Sequence, residues 1–130
     1  MGERDSSTIA TALELATSTD DRIERVLEFI RTSNDPQLGV PGLARHAGLS
    51  ESHFYRLFRR QMRVTPARYL KDIRIRRAEY LLRTTNLSLQ DILLQVGVVD
   101  RSHFLRNFKK LYGFPPSLYR ARLLRAMRPE

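Results

Sequence analysis

The chain has 130 residues, with 23 Lys plus Arg against 14 Asp plus Glu and a net charge of +9, a length that holds one domain or two small ones sharing a core. It contains no cysteine, which excludes disulfides and thiolate metal sites and fits a reducing compartment. The opening "MGERDSSTIA" carries no apolar leader and no apolar run nears the roughly 18 residues of a membrane span, so a cytoplasmic protein without membrane attachment is expected.

The charge is also unevenly placed. Residues 1–40 hold 4 basic and 8 acidic side chains, and residues 41–130 hold 19 and 6. A positive field confined to one part of a small chain is the footprint of a polyanion partner.

Residues 1–19 are polar and Ser/Thr-rich around one apolar patch, "IATALELA"; they read as a lead-in or linker with at most a short helix. Asp20 or Asp21 can then cap a helix that places Ile23, Val26, Leu27 and Ile30 on one face. "TSNDP" ends it, because Pro36 disfavours helix at Asp35 and Ser33 and Asn34 favour turns. "QLGV" (37–40) is the only stretch resembling a strand, and it is short. The expected fold class is all-α.

From Pro41 onward a duplication dominates. "SHFYRLFRRQMRVTPARY" (52–69) and "SHFLRNFKKLYGFPPSLY" (102–119) share seven identities over 18 positions and two further Arg/Lys exchanges, which marks an internal repeat. The match extends upstream: "LARHAGLS" (43–50) aligns with "ILLQVGVVD" (92–100), Gly48 falling on Gly97 and Ser50 on Asp100, with Val99 as an extra residue. Each copy has a short apolar-faced helix, a glycine, an N-cap (Ser50 or Asp100) and a second, basic helix near 51–62 or 101–112. This is the pattern of a helix-turn-helix. Between the copies, Thr65 and Pro66 open an uninterrupted helix-favouring run, and helix over residues 66–83 would make a spacer about 27 Å long.

Placed at 100° per residue, Phe54, Leu57, Phe58 and Gln61 face inward in the first copy, as do Phe104 and Phe108 in the second. Ser52, Tyr55, Arg56 and Arg59 face outward, with His53 and Arg60 at an edge. Ser102, Leu105, Arg106 and Lys109 face outward in the second copy, with His103 and Lys110 at the edge. A major groove about 12 Å wide admits one such helix, whose amino-terminal residues reach base edges. Ser52, Tyr55, Arg56, Ser102, Leu105 and Arg106 are therefore candidate base readers. The arginines suit guanine, and Leu105 could meet only an apolar group such as a thymine methyl. His53, Arg59, Arg60, His103, Lys109 and Lys110 lie to the side and are candidate phosphate contacts. Each histidine stands without a second ligand at metal spacing, and no phosphate loop, G-x-S-x-G or Cys nucleophile is present. No metal, cofactor or enzymatic activity is expected.

"LARHAGLSESHFYRLFRRQMRVTPARYL" with "RRAEYLLRTTNLSLQDILLQVGVVDRSHFLRNFKKLYGFPPSLYR" resembles the DNA-binding domain of AraC/XylS-type bacterial transcription regulators, over residues 20–122. The resemblance implies about seven helices in two helix-turn-helix subdomains joined by a long central helix. It also implies two recognition helices in successive major grooves on one face of the DNA. Carried onto this chain, it adds Arg101 to the base readers. Three positions depart from its usual pattern. Arg63 stands where a glycine often ends the first recognition helix, as Gly113 ends the second. Leu93 replaces a small alanine, and Val98 an aromatic.

The expected division is a lead-in (1–19), a first subdomain (20–64), a connecting helix (65–84), a second subdomain (85–122) and a tail (123–130). The expected function is sequence-specific binding of double-stranded DNA and transcription regulation in the bacterial nucleoid, with RNA polymerase as a further partner. One chain fills a two-part site of roughly 20 base pairs with half-sites about 34 Å apart, and a dimer could form through a separate, missing domain. The rival is a non-specific nucleic-acid-binding or nucleoid-structuring protein, for which basic charge suffices. An enzyme with an accessory helix-turn-helix lacks the thiol chemistry it would need.

Overall fold

Asp20 starts the described part of the molecule by accepting the Arg22 backbone N–H at 2.8 Å, an N-cap that satisfies one of the free donors at a helix start. In the computed structural model of the chain, residues 20–127 are described; the expected lead-in at 1–19 lies outside them. Seven helices follow in order and no strand occurs among the described residues. They are α1 (Asp21–Thr32), α2 (Val40–Ala47), α3 (Glu51–Met62), α4 (Pro66–Thr84), α5 (Leu89–Val96), α6 (Arg101–Tyr112) and α7 (Pro116–Met127). "QLGV" makes no strand: Gln37 lies in a turn and Val40 opens α2.

The Asp20 carboxylate also receives the Arg22 guanidinium, and the two Arg22 donors hold its pKa down at about 2 against a usual 3.8. A folded-state pKa below the unfolded one stabilises the fold above about pH 4, and the gain is lost as pH falls toward 2. Asp20→Ala is therefore expected to cost about 1 kcal/mol at neutral pH through the lost cap. Urea titrations at pH 7, 4 and 2.5 should show the difference from wild type shrinking with acid.

The described chain divides into two compact units that do not follow the linear order. One comprises α1, residues 41–47 of α2, and α3; the other comprises residues 34–40 and everything from Pro66. In the first unit Ile23, Val26 and Ile30 of α1, Leu43, Ala44 and Ala47 of α2, and Phe54, Leu57 and Phe58 of α3 are buried. The inward faces expected from periodicity form this core, except that Leu27 and Gln61 are only half-buried. Gln61 adds a polar tie, its side-chain carbonyl accepting the Asp20 backbone N–H at 3.0 Å.

In the second unit Ile75, Ala78 and Leu82 of α4 meet Ile92, Leu93 and Val96 of α5 and Phe104 and Phe108 of α6. Tyr112 and Tyr119 pack on Phe108 at ring distances of 4.7 and 5.4 Å. The Tyr119 hydroxyl donates to Glu79 at 2.9 Å, and burial together with that carboxylate pushes its pKa up to about 12. The Arg120 guanidinium donates to the carbonyls of Leu82, Thr85 and Leu87, closing the end of α4 and the loop after it.

The expected connecting helix at 65–84 corresponds to α4, which also contributes Ile75, Ala78 and Leu82 to the second core. Helix α7 runs through the start of the expected tail as far as Met127, the end of the described residues.

Residues 34–40 form a strap on the second unit. Leu38 is buried, its carbonyl accepts the Arg74 guanidinium, and Pro36 lies directly over Gly97. Gly97 adopts φ +84, and a Cβ there would stand 2.0 Å from the Pro36 carbonyl oxygen. Gly48, its counterpart in the first copy, has φ +72 with nothing within 4 Å of such a Cβ.

Candidate nucleic-acid interface

The two helix-turn-helix copies are built alike at each step. The α2–α3 turn is closed by the Leu49 N–H on the Ala44 carbonyl at 3.0 Å, the α5–α6 turn by the Val98 N–H on the Leu93 carbonyl at 2.9 Å. These are the long-range bonds of a glycine-bearing helix end. The Ser50 hydroxyl accepts the His53 N–H at 3.2 Å and the Asp100 carboxylate accepts the His103 N–H at 2.9 Å, so α3 and α6 start at equivalent positions. The anchor rings match too, Phe54–Phe58 at 5.6 Å and Phe104–Phe108 at 5.7 Å. Leu93 lies in the core where a small residue was expected, and Val98 is half-buried against it.

Both helices also end alike. Arg63 closes α3 at φ +65, with its N–H on the Arg59 carbonyl, and Gly113 closes α6 at φ +87 with its N–H on Lys109. Arg63 is the only described non-glycine residue with positive φ. The absent glycine thus leaves the helix exit unchanged in form and strained instead. Arg63→Gly is expected to stabilise the fold by about 0.5–1 kcal/mol, read as a raised urea midpoint with an unchanged slope.

Anchored this way, α3 turns Ser52, His53, Tyr55, Arg56, Arg59 and Arg60 into solvent, and α6 does the same with Arg101, Ser102, Arg106, Lys109 and Lys110. No carboxylate among the described residues pairs with Arg56, Arg59, Arg60, Arg101, Arg106, Lys109 or Lys110. Four cations on other elements do have carboxylate partners: Arg22 with Asp20, Arg31 with Glu28, Arg68 with Asp72 and Arg83 with Glu79. Each recognition helix therefore presents a row of uncompensated positive charge, the arrangement a phosphate backbone attracts.

Two second-copy residues differ from their expected setting. Leu105 is half-buried and packs against the second core, because Leu105 and Tyr112 lie two turns apart on one flank of α6. His103 is also half-buried, with the Asn107 side-chain amide at 2.9 Å from its ring and 3.0 Å from its carbonyl. Sequence reasoning passed over Glu51, the first-copy counterpart of Arg101, exposed in the first turn of α3. The repeat alignment carried the signal: the two copies bear opposite charges at that position. No helix among the described residues is long and apolar enough to cross a membrane.

A duplicated helix-turn-helix with bare cations on both second helices defines the class as a nucleic-acid-binding domain. The family profile described as "Helix-turn-helix domain" matches residues 43–122. The chain is 31% identical over 107 residues to the Msm operon regulatory protein of Streptococcus mutans, covering 82% of this chain and 38% of that one. It is 33% identical over 98 residues to the HTH-type transcriptional activator AarP of Providencia stuartii, covering 75% and 73%. A solved structure of the DNA-binding domain of AdpA, in complex with a target DNA, superposes with a TM-score of 0.70 at 28% identity over 86% of this chain and 99% of that one. The chain belongs to the AraC/XylS family of bacterial transcription regulators, as a double helix-turn-helix DNA-binding domain. It spans less than two fifths of the length of several of its curated relatives.

Proposed function

We propose that this chain reads a two-part operator, α3 and α6 entering successive major grooves, and that occupancy regulates transcription. The observation that carries the reading is the matched pair of Arg56 and Arg106, exposed and without a carboxylate partner on helices of identical construction. Arg56, Ser52 and Tyr55 read one half-site; Arg106, Arg101 and Ser102 read the other. Leu105 contributes its exposed edge to an apolar contact. Glu51 accepts from a cytosine amine at the position where Arg101 donates in the other half-site, so the half-sites differ in sequence. His53, Arg59, Arg60, His103, Lys109 and Lys110 hold phosphates and set the register. The DNA-bound AdpA domain and the AarP activator support the same reading. RNA polymerase is the further partner, and the bacterial nucleoid the place of action.

Selection of bound duplexes from a random pool at a stated salt concentration tests this. The expected product is an asymmetric site of roughly 20 base pairs with half-sites about one helical turn apart. Sedimentation should give one chain per site. Enrichment of no sequence above the pool, with affinity tracking salt alone, would replace the reading with general nucleic-acid binding.

A further inference from the structure

In the second unit, α4 and the turn before α6 border a recess of about 150 Å3. Ile75, Val98, Val99 and Phe104 give it carbon walls, and Lys71 and Arg74 line it as cations. We infer that this recess binds a small monocarboxylic acid with a compact apolar body, of the bulk of benzoate. Val99 is 98% exposed and forms the solvent-facing rim; by volume alone, about 150 Å3 is the space that benzene occupies in an apolar cavity, so one ring or a branched chain of similar size fits.

The charges set the ligand's sign. Arg74 is half-buried and donates to the Leu38 carbonyl, but no carboxylate among the described residues pairs with it. Burial pushes its guanidinium pKa down, and nearby Arg77 adds to the effect. A cation that has lost water without gaining a counter-ion is stabilised by an incoming carboxylate. Lys71 supplies a second positive charge. Asp100 is the opposing group on the lining, and its carboxylate already accepts the His103 N–H at 2.9 Å at the amino end of α6, where the helix dipole offsets its charge. Two cations against one capped carboxylate leave the recess positive, a few polar groups among apolar walls.

The test is a titration of the full chain with sodium benzoate at constant ionic strength, followed by amide NMR. Benzyl alcohol supplies the body without the charge, and acetate the charge without the body. Benzoate should shift the resonances of residues 97–104 and 71–75 saturably, with benzyl alcohol and acetate each at least about tenfold weaker. Val98→Phe should fill the recess and remove the response. Lys71→Gln should weaken benzoate roughly five- to tenfold and leave benzyl alcohol unchanged, which decides the matter even where Val98→Phe fails to fold. Shifts that do not saturate, persist in Val98→Phe, ignore Lys71→Gln, or are equalled by acetate would show general anion attraction to a basic surface and overturn the proposal. No arm involves DNA, so this result is independent of the operator reading.

Discussion

Gly97→Ala is expected to lower stability by about 3 kcal/mol or more, with a fall in Tm on the order of 10 °C. Two costs combine. The backbone at φ +84 is unfavourable for any side chain, by about 1–2 kcal/mol, and the new methyl carbon would stand 2.0 Å from the Pro36 carbonyl oxygen. Backbone atoms form the obstacle, so no rotamer change relieves it; the strap must lift, exposing Leu38 and breaking its bond from Arg74. Gly113→Ala is the control, because it has φ +87 and open space. It should cost only about 1–2 kcal/mol. Thermal unfolding of both variants beside wild type measures the difference, and equal losses would mean the strap contributes nothing.

Arg56→Ala and Arg106→Ala should each weaken binding to the selected operator by about 1–3 kcal/mol, roughly 5- to 150-fold, with the loss confined to one base pair per variant. The reasoning is geometric: each arginine lies in the first half of its helix on the face opposite the phenylalanine anchors, and each is exposed and unpaired. Contacts in separate half-sites should add in the double variant to within about 0.5 kcal/mol. Lys109→Ala, by contrast, should weaken operator and random duplex alike and reduce the salt slope by about one. Titrations of operator, base-substituted operator and random duplex at two salt concentrations distinguish the cases. Uniform losses across all duplexes for the two arginines would remove their assignment as base readers.

The helices were largely legible in the sequence because short-range chemistry sets them. Asp20, Ser50 and Asp100 cap as residue type and position predict, and the bounds of α3 and α6 follow from their N-caps and the repeat. The inward phenylalanines were legible for the same reason, since helical period alone places them. Arg63 was legible as an anomaly, but whether its helix would change shape or bear strain depended on how strongly the rest of the turn was held. What escaped was tertiary. Nothing local in "NDPQLGV" signals that it lies over Gly97, sixty residues on. Leu105 points outward by angle, yet its flank of α6 is covered by neighbours from the same unit. Arg120 reads as one more surface cation until its three carbonyl partners are seen; the aligned first-copy residue, Leu70, is simply buried.

The strap also bears on how this molecule can be taken apart. Its seven residues are strung between the first two helices of one unit yet rest on the other, so no single cut separates the two cleanly. A fragment starting at Pro66 would leave Gly97 uncovered, and one ending at Thr65 would carry Leu38 away from the surface that buries it. Truncations meant to assign affinity to each half would therefore report damaged halves, and point substitutions on the intact chain are the sounder way to apportion it.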